Sequence, residues 1–273
     1  MNIPHTQVEA LLREAAERII VPLWRNLGQD DVKEKSDGDL ATTADTRCER
    51  FLASHLPGLI DGSVVLGEES VHDDPRLLST LHSEAPVWVI DPLDGTRHFV
   101  SGDRHFAIMV CLLHSGTTIG AWIFNPLEGI LTSAEKGCGA FEGNERLVVE
   151  SSSLPLDRIR GVVRTTYLPD SLRPTAEAAS GAFMSLESAR CAGYNYPSFA
   201  KNELQFLFFY RTLVWDHAPG ILIVEEAGGF VRRLDGTGYS PVDDRKGLLC
   251  ATNGEMWMSI QRTLVPSVAV MNT

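Results

Sequence analysis

Four apolar residues, Val87-Trp88-Val89-Ile90, run directly into Asp91-Pro92-Leu93-Asp94-Gly95-Thr96. The run reads as a short strand, and the Pro and Gly that follow it demand a tight turn. Two carboxylates three residues apart on such a turn repel one another, and close like charges raise a carboxyl pKa sharply. A divalent cation between them removes that conflict. Gly95 and Thr96 are placed to open a short helix, whose unpaired backbone N–H groups and positive dipole end suit a phosphate oxygen. Taken alone, the hexapeptide is also readable as an Asp-rich turn that caps a helix.

Further acids stand at comparable places. Val64-Val65-Leu66 is a second short strand, and it ends at Gly67-Glu68-Glu69-Ser70. Asp216, in Val214-Trp215-Asp216-His217, begins a helix expected to run to Ala227 and to stop at Gly228-Gly229. Each has an ordinary reading, a helix cap for Asp216 and a solvated loop for the glutamates. Acidic residues at several strand and helix ends nevertheless make one shared cation site the more economical reading.

Around these motifs, Thr6-Gln7-Val8-Glu9 fits a capping box, and Val8, Leu11, Leu12, Ala15 and Ile19 recur at helical spacing, which predicts a helix to about Leu27. Residues Gln29 to Asp39 read as a mobile polar loop, and Asp45 to His55 as a second helix. Phe106 to Leu113, Thr117 to Phe124 and Gly129 to Ala134 read as an antiparallel meander. From about Ser151 the elements become shorter: a strand over Ile159 to Val163, a helix near Thr175 to Ala182, and strands near Ser185 and Phe206. Strands and helices interleave throughout, which predicts an α/β layered sandwich, α+β in its segregation, with mixed and largely antiparallel sheets. The change of pattern suggests two packed subdomains, 1–150 and 151–273.

Composition narrows the function. A formal net charge of -12 offers no positive field to a polyanion, so a nucleic-acid polymer is not an expected partner. Cys48, Cys111, Cys138, Cys191 and Cys250 are odd in number and contain no C-x-x-C pair, which points to reduced thiols in a cytoplasmic protein. No apolar segment reaches the roughly 20 residues that span a bilayer, so no membrane is expected as a partner. No G-x-x-x-x-G-K-[ST] loop occurs, which excludes that triphosphate cradle.

The order G-E-E-S at Gly67–Ser70, W-V-I-D-P-L-D-G-T at Trp88–Thr96 and W-D-H-A-P-G-I-L-I-V-E-E-A-G-G at Trp215–Gly229 resembles the inositol monophosphatase superfamily. Asp39-Leu40-Ala41-Thr42-Thr43-Ala44-Asp45 resembles its remaining motif, and the likeness extends over residues 35 to 255. It implies an α-β-α-β-α sandwich and a Mg2+-dependent phosphomonoesterase acting on a small soluble metabolite. Glu68, Asp91 and the Leu93 carbonyl would bind one Mg2+, and Asp91, Asp94 and Asp216 a second, with a weaker third near Glu68. Hard oxygen ligands suit that ion. By the same likeness Thr96 orients the attacking water, Asp45 holds Thr96, Glu68 serves the catalytic centre, and Gly95 with Thr96 binds phosphate. Residues 1–150 would then carry most of the metal ligands, and 151–273 would complete the site. A homodimer and inhibition by lithium are family expectations. Lys35 stands near the position of the family's mobile-loop lysine and also reads as a solvated side chain.

Departures from the pattern bear on substrate. The family's D-G-T-x-N-F and W-D-x-A-A-G appear here with Arg97-His98-Phe99 and His217-Ala218-Pro219-Gly220, which leaves every metal ligand in place. His98 and His217 read as hydrogen-bonded neighbours of the acids. Inositol-cleaving members carry a glutamate seven residues before the W-D aspartate; here that position is Phe209, in a run from Phe206 to Tyr210 that reads as a buried strand. Asp94, Gly193, Tyr194, Asn195 and Arg211 are the candidate substrate contacts, with Tyr194 and Tyr196 suited by stacking, and Asn195 and Arg211 by paired hydrogen bonds, to a flatter or more anionic molecule than inositol phosphate. Histidinol phosphate and a nucleotide 3′-phosphate are the alternative substrates. A metal- or metabolite-binding protein without turnover is the alternative function.

Overall fold

A computed structural model describes residues 2–35, 39–186 and 191–266. The chain opens with α1 (His5–Ala15), a π-helical turn (Ala16–Ile20) and α2 (Val21–Leu23), which form one continuous helical stretch. It ends at Leu23, short of Leu27, because Trp24 turns to an extended ψ of 124°. Thr6 caps nothing: Val8 N donates to Pro4 O, so the first turn begins two residues earlier and encloses Thr6.

The segment expected to be a loop contains an antiparallel hairpin of β1 (Val32–Glu34) and β2 (Leu40–Thr42). Residues 36–38, part of that expected loop, lie outside the described residues. Thr42 then caps α3 (Thr43–His55): its side chain accepts from Ala44 N, while the Asp45 side chain accepts from Thr42 N. This is the capping box that the sequence places at the wrong helix.

A seven-stranded sheet follows, its strands in sequence order: β3 (Val64–Gly67), β4 (Val87–Asp94), β5 (Ala107–His114), β6 (Thr117–Asn125), β7 (Ile130–Glu135), β8 (Gly139–Glu142) and β9 (Glu145–Leu147). Only β3 and β4 pair in parallel, and the crossover between them begins with α4 (Glu68–Asp73). The short α5 (Thr96–Val100) leaves β4. The second sheet has the order β11-β10-β12-β14-β13, from β10 (Arg160–Val163), β11 (Ser185–Leu186), β12 (Phe206–Phe209), β13 (Phe230–Arg233) and β14 (Leu248–Ala251). Between its strands run α6 (Arg173–Ala178), α7 (Ala192–Ala200) and α8 (Val214–Glu226), and α9 (Gly254–Leu264) follows β14.

Side-chain alternation sorts these elements into five layers. Trp88 and Ile90 of β4 join Val8 and Leu12 of α1 and Cys48 and Leu52 of α3 in one buried cluster. Val87 and Val89 point the other way, into a cluster with Tyr196 and Phe199 of α7, Leu222 and Ile223 of α8, and Leu207 and Phe209 of β12. Phe206 and Phe208 leave the far face of β12 and pack on Trp257 and Ile260 of α9. The result is an α-β-α-β-α sandwich with mixed sheets, as expected from the interleaved pattern. Both faces of β4 and β12 are covered, which is why those strands are continuous apolar runs.

Candidate active site

The parallel β3 and β4 end side by side, and α3, α4, α5 and α8 begin around them. At that edge β4 loses register with β5 between Asp91 and Asp94, so the turn that carries both aspartates bulges out of the ladder. Glu68 opens α4 and Asp216 sits in the first turn of α8, both next to the positive end of a helix dipole. Glu68, Asp91 and Asp216 each present a carboxylate oxygen, and the three atoms lie within 4.8 Å of one another. Asp216 lies more than a hundred positions from Glu68 and Asp91 in sequence, and the fold brings the three together.

Electrostatics shows the cost of that arrangement. Burial, then repulsion from Glu68, Asp94 and Asp216, pushes the Asp91 carboxyl well above its ordinary value, and Asp91 is only 1% exposed. Burial and Glu68 do the same to Asp216, and burial also raises Asp94. Asp94 Oδ2 accepts a 2.5 Å hydrogen bond from Gly193 N, which ties α7 to the turn. Asp91 Oδ1 accepts from Leu93 N at 3.0 Å, bending the turn back on itself.

Next to the cluster, Thr96 Oγ1 lies 3.0 Å from Asp45 Oδ1 and 3.0 Å from the Leu93 carbonyl oxygen. Asp45 is buried, and Thr42 donates to its Oδ2 from both N and Oγ1 at 2.8 and 2.5 Å. Burial outweighs these bonds and lifts the Asp45 carboxyl to about 6. Gly95 precedes Thr96 with φ +89°, and a Cβ there would stand 2.7 Å from the His105 carbonyl oxygen, so only glycine fits this corner.

The sequence-derived substrate contacts divide. Asp94 and Arg211 line a cleft of about 320 Å³ that also exposes Glu68, Asp91, Thr96 and Asp216. Tyr194 and Asn195 do not line it: they are buried in α7, with the Tyr194 hydroxyl donating to Arg104 O and its ring edge-on to His105. Tyr196 is buried as well, and its hydroxyl meets His217 Nδ1 at 2.7 Å. Gly193 acts from behind, through its bond to Asp94. Phe209, at the position of the family's glutamate, is buried in β12.

His217 Nε2 stands 3.0 Å from the Arg211 carbonyl, which can only accept, so Nε2 carries the hydrogen and Nδ1 accepts from Tyr196. Burial holds this histidine neutral, lowering its pKa to about 3. His98 lines the cleft mouth, 3.3 Å from Asp103.

Glu49, Arg164 and Tyr167 escaped the sequence reading as contributors, while Lys35, read there either as the mobile-loop lysine or as a solvated side chain, pairs with the acids. Lys35 Nζ reaches Glu68 Oε1 at 3.1 Å and Glu69 Oε1 at 2.5 Å, fixing the hairpin over the acids. Glu49, one turn beyond Asp45 on α3, accepts from Glu69 N and Ser70 N and so anchors the start of α4; the spacing of four residues was the available signal. Arg164 and Tyr167, just beyond the end of β10, form one wall of the cleft. A charged residue directly after a strand was their signal.

The family model described as "Inositol monophosphatase family" matches residues 4–268. An inositol-1-monophosphatase of Rhizobium meliloti (strain 1021) is 31% identical over 218 residues, covering 76% of this chain and 77% of that protein. A protein of Vibrio cholerae named Nus factor SuhB is 29% identical over 235 residues, covering 82% of each. The solved structure of the extragenic suppressor protein suhB from Bartonella henselae superposes with a TM-score of 0.83 at 23% identity, over 96% of this chain and 98% of the other, which shows the shared fold. The acid cluster at the β3–β4 edge, the five-layer sandwich and the near full-length match lead to one conclusion: this chain belongs to the inositol monophosphatase family.

Proposed function

We propose that this chain is a magnesium-dependent phosphomonoesterase that hydrolyses a small-molecule phosphate ester by attack of water. The observation that carries the proposal is the convergence of Glu68, Asp91 and Asp216 on one point, where burial and mutual repulsion disfavour ionisation of Asp91 and Asp216 until a cation joins them. The donor set is all oxygen, as a hard divalent ion requires. Glu68, Asp91, Leu93, Asp94 and Asp216 would hold two Mg2+ ions, with a third near Glu68. Bound there, such ions lower the pKa of a water ligand and neutralise charge on a phosphoryl group.

The chain's own residues supply the remainder. The single hydrogen of the Thr96 hydroxyl has two acceptors, Asp45 and the Leu93 carbonyl. Donating to Asp45 leaves its lone pairs to accept from, and so orient, a water in the cleft. Asp45, held on its other oxygen by Thr42, is the proton acceptor behind Thr96. Gly95 and Thr96 form the turn against which the phosphate rests. Cys191 also lines the cleft, but burial and the neighbouring Asp94 keep it a thiol, which disfavours a covalent cysteine route.

The same reading extends to a cytoplasmic homodimer, two subdomains (1–150 and 151–273) that close on the site, and no nucleic-acid substrate; it rests on the family pattern and on the net charge of -12. Phosphate release from a panel of small esters, with Mg2+ and with EDTA, tests it. Release that needs Mg2+ supports the proposal. Magnesium binding without release from any ester would favour a non-catalytic role.

A further inference from the structure

The cleft has two electrical sides. Its floor is the carboxylate cluster, and its outer wall is cationic. Arg211 Nη1 bonds Asp39 Oδ2 at 2.9 Å, and its guanidinium lies 4.0 Å from the centre of the Tyr167 ring. Arg164 stands on the same aromatic ring, 5.9 Å from its centre. Phe209, which also lines this part of the cleft, is buried in β12 and offers no polar group. The wall therefore offers donors of charged hydrogen bonds.

The two arginines are not equivalent. Arg211 already has a carboxylate partner in Asp39. Among the described residues, no carboxylate lies within ion-pair distance of Arg164, although its charge is felt by Asp94 and Asp216 across the cleft. A small recess of about 20 Å³ is lined by Arg164, Tyr167, Phe209 and Arg211 together with Asp94 and Asp216. That volume accepts one water-sized group, such as a single oxygen of an anion. A guanidinium stacked on an aromatic face is pre-ordered, so little side-chain entropy is lost when it binds a ligand oxygen.

We infer that the substrate carries a second anionic group, such as a carboxylate, which Arg164 and Arg211 bind while the scissile phosphate sits over Glu68, Asp91 and Asp216. This inference rests on the phosphomonoesterase reading and narrows its substrate class. A neutral polyol phosphate would leave the Arg164 donors facing an uncharged hydroxyl. The charge-assisted bond to an anion is the stronger one.

The test uses two matched ester pairs, each differing by CH2OH against carboxylate: glycerol 3-phosphate with 3-phosphoglycerate, and glucose 1-phosphate with glucuronic acid 1-phosphate. Both kcat/KM and calorimetric binding are measured with Mg2+ for the native chain, Arg164→Gln and Arg164→Lys. We expect the native chain to prefer the acid of at least one pair by about tenfold or more, a difference carried by KM and by binding. Arg164→Gln should erase that preference, and Arg164→Lys should restore part of it. A general loss of fold would lower both members of a pair and leave their ratio unchanged. Equal use and equal binding of acid and alcohol in both pairs would overturn the inference, as would a preference that survives Arg164→Gln. If no ester is turned over, the phosphatase reading fails, and the calorimetric ratio still decides the role of Arg164.

Discussion

Lys35 Nζ is 3.1 Å from Glu68 Oε1, so an internal cation already rests against the acid that opens α4. Burial works against the lysine charge, but Glu68 and Glu69 outweigh it and its pKa is raised. Lysine therefore partly neutralises the acids before any metal arrives. Lys35→Met leaves Glu68 and Glu69 uncompensated, and should lower metal-free stability by about 1–2 kcal/mol, a buried-pair loss discounted for the partial exposure of Glu68. The rise in Tm on adding Mg2+ should be larger in the variant than in the native chain. An equal or smaller rise would separate Lys35 from the cation site.

Thr96 and Asp45 act as one unit in the proposed water-orienting chain. Thr96→Val and Asp45→Asn should each lower kcat by about 100-fold, and the double variant should lose little more, because either change breaks the same path. Steady-state kinetics of all three variants checks this. Fully multiplicative losses would contradict a shared path.

Gly193 lets α7 approach β5. A Cβ at this position would lie 2.4 Å from Ala107 Cβ and 3.2 Å from Asp94 Oδ2. Gly193→Ala should cost about 2–3 kcal/mol in urea unfolding, as overpacking does, and should weaken Mg2+ binding by displacing Asp94. Native affinity in a destabilised variant would show that Asp94 does not depend on this contact.

His217 predicts the sign of an acid limb. Its folded pKa of about 3 lies below the ordinary histidine value of 6.5, so between these values the unfolded chain holds a proton that the folded chain refuses. Stability contributed by neutral His217 is therefore present above pH 6.5 and is lost as pH falls toward 3, by a few kcal/mol at most. The raised carboxyls of Asp91 and Asp216 act oppositely in metal-free protein, since they stabilise it on acidification. Urea unfolding from pH 7 to 5 without metal should show that His217→Gln loses less stability on acidification than the native chain. Parallel pH profiles would contradict a neutral buried histidine.

Much of this arrangement was legible because its signals are local. The apolar run into Asp91-Pro92-Leu93-Asp94, the meander of β5 to β7 and the apolar length of α8 are each visible within a short window. Helix α7 was not legible: Ala192–Ala200 contains Gly, Asn, two Tyr and an internal Pro197, all poor helix formers. Its nine residues are all buried between the two sheets, and packing outweighs propensity there. That helix also moved Tyr194 and Asn195 out of the cleft. Arg164 and Tyr167 reach the cleft only because β10 pairs in parallel with β12, a partner more than forty residues away that no local pattern reveals. Helix α9 could have been read, since Asn253 caps it and Met256, Trp257, Ile260 and Leu264 recur at helical spacing.

The central claim is that Glu68, Asp91 and Asp216 form a cation site on which turnover depends. Asp91→Asn is its most direct test, because the amide keeps the shape and removes the most buried of these charges. Without metal the variant should melt at a higher temperature than the native chain, as a disfavoured charge is gone. With Mg2+ it should gain no stability, and its phosphate release should fall by about 1000-fold or more. A variant that melts lower without metal, still gains stability from Mg2+, and releases phosphate within about tenfold of the native rate would contradict the account.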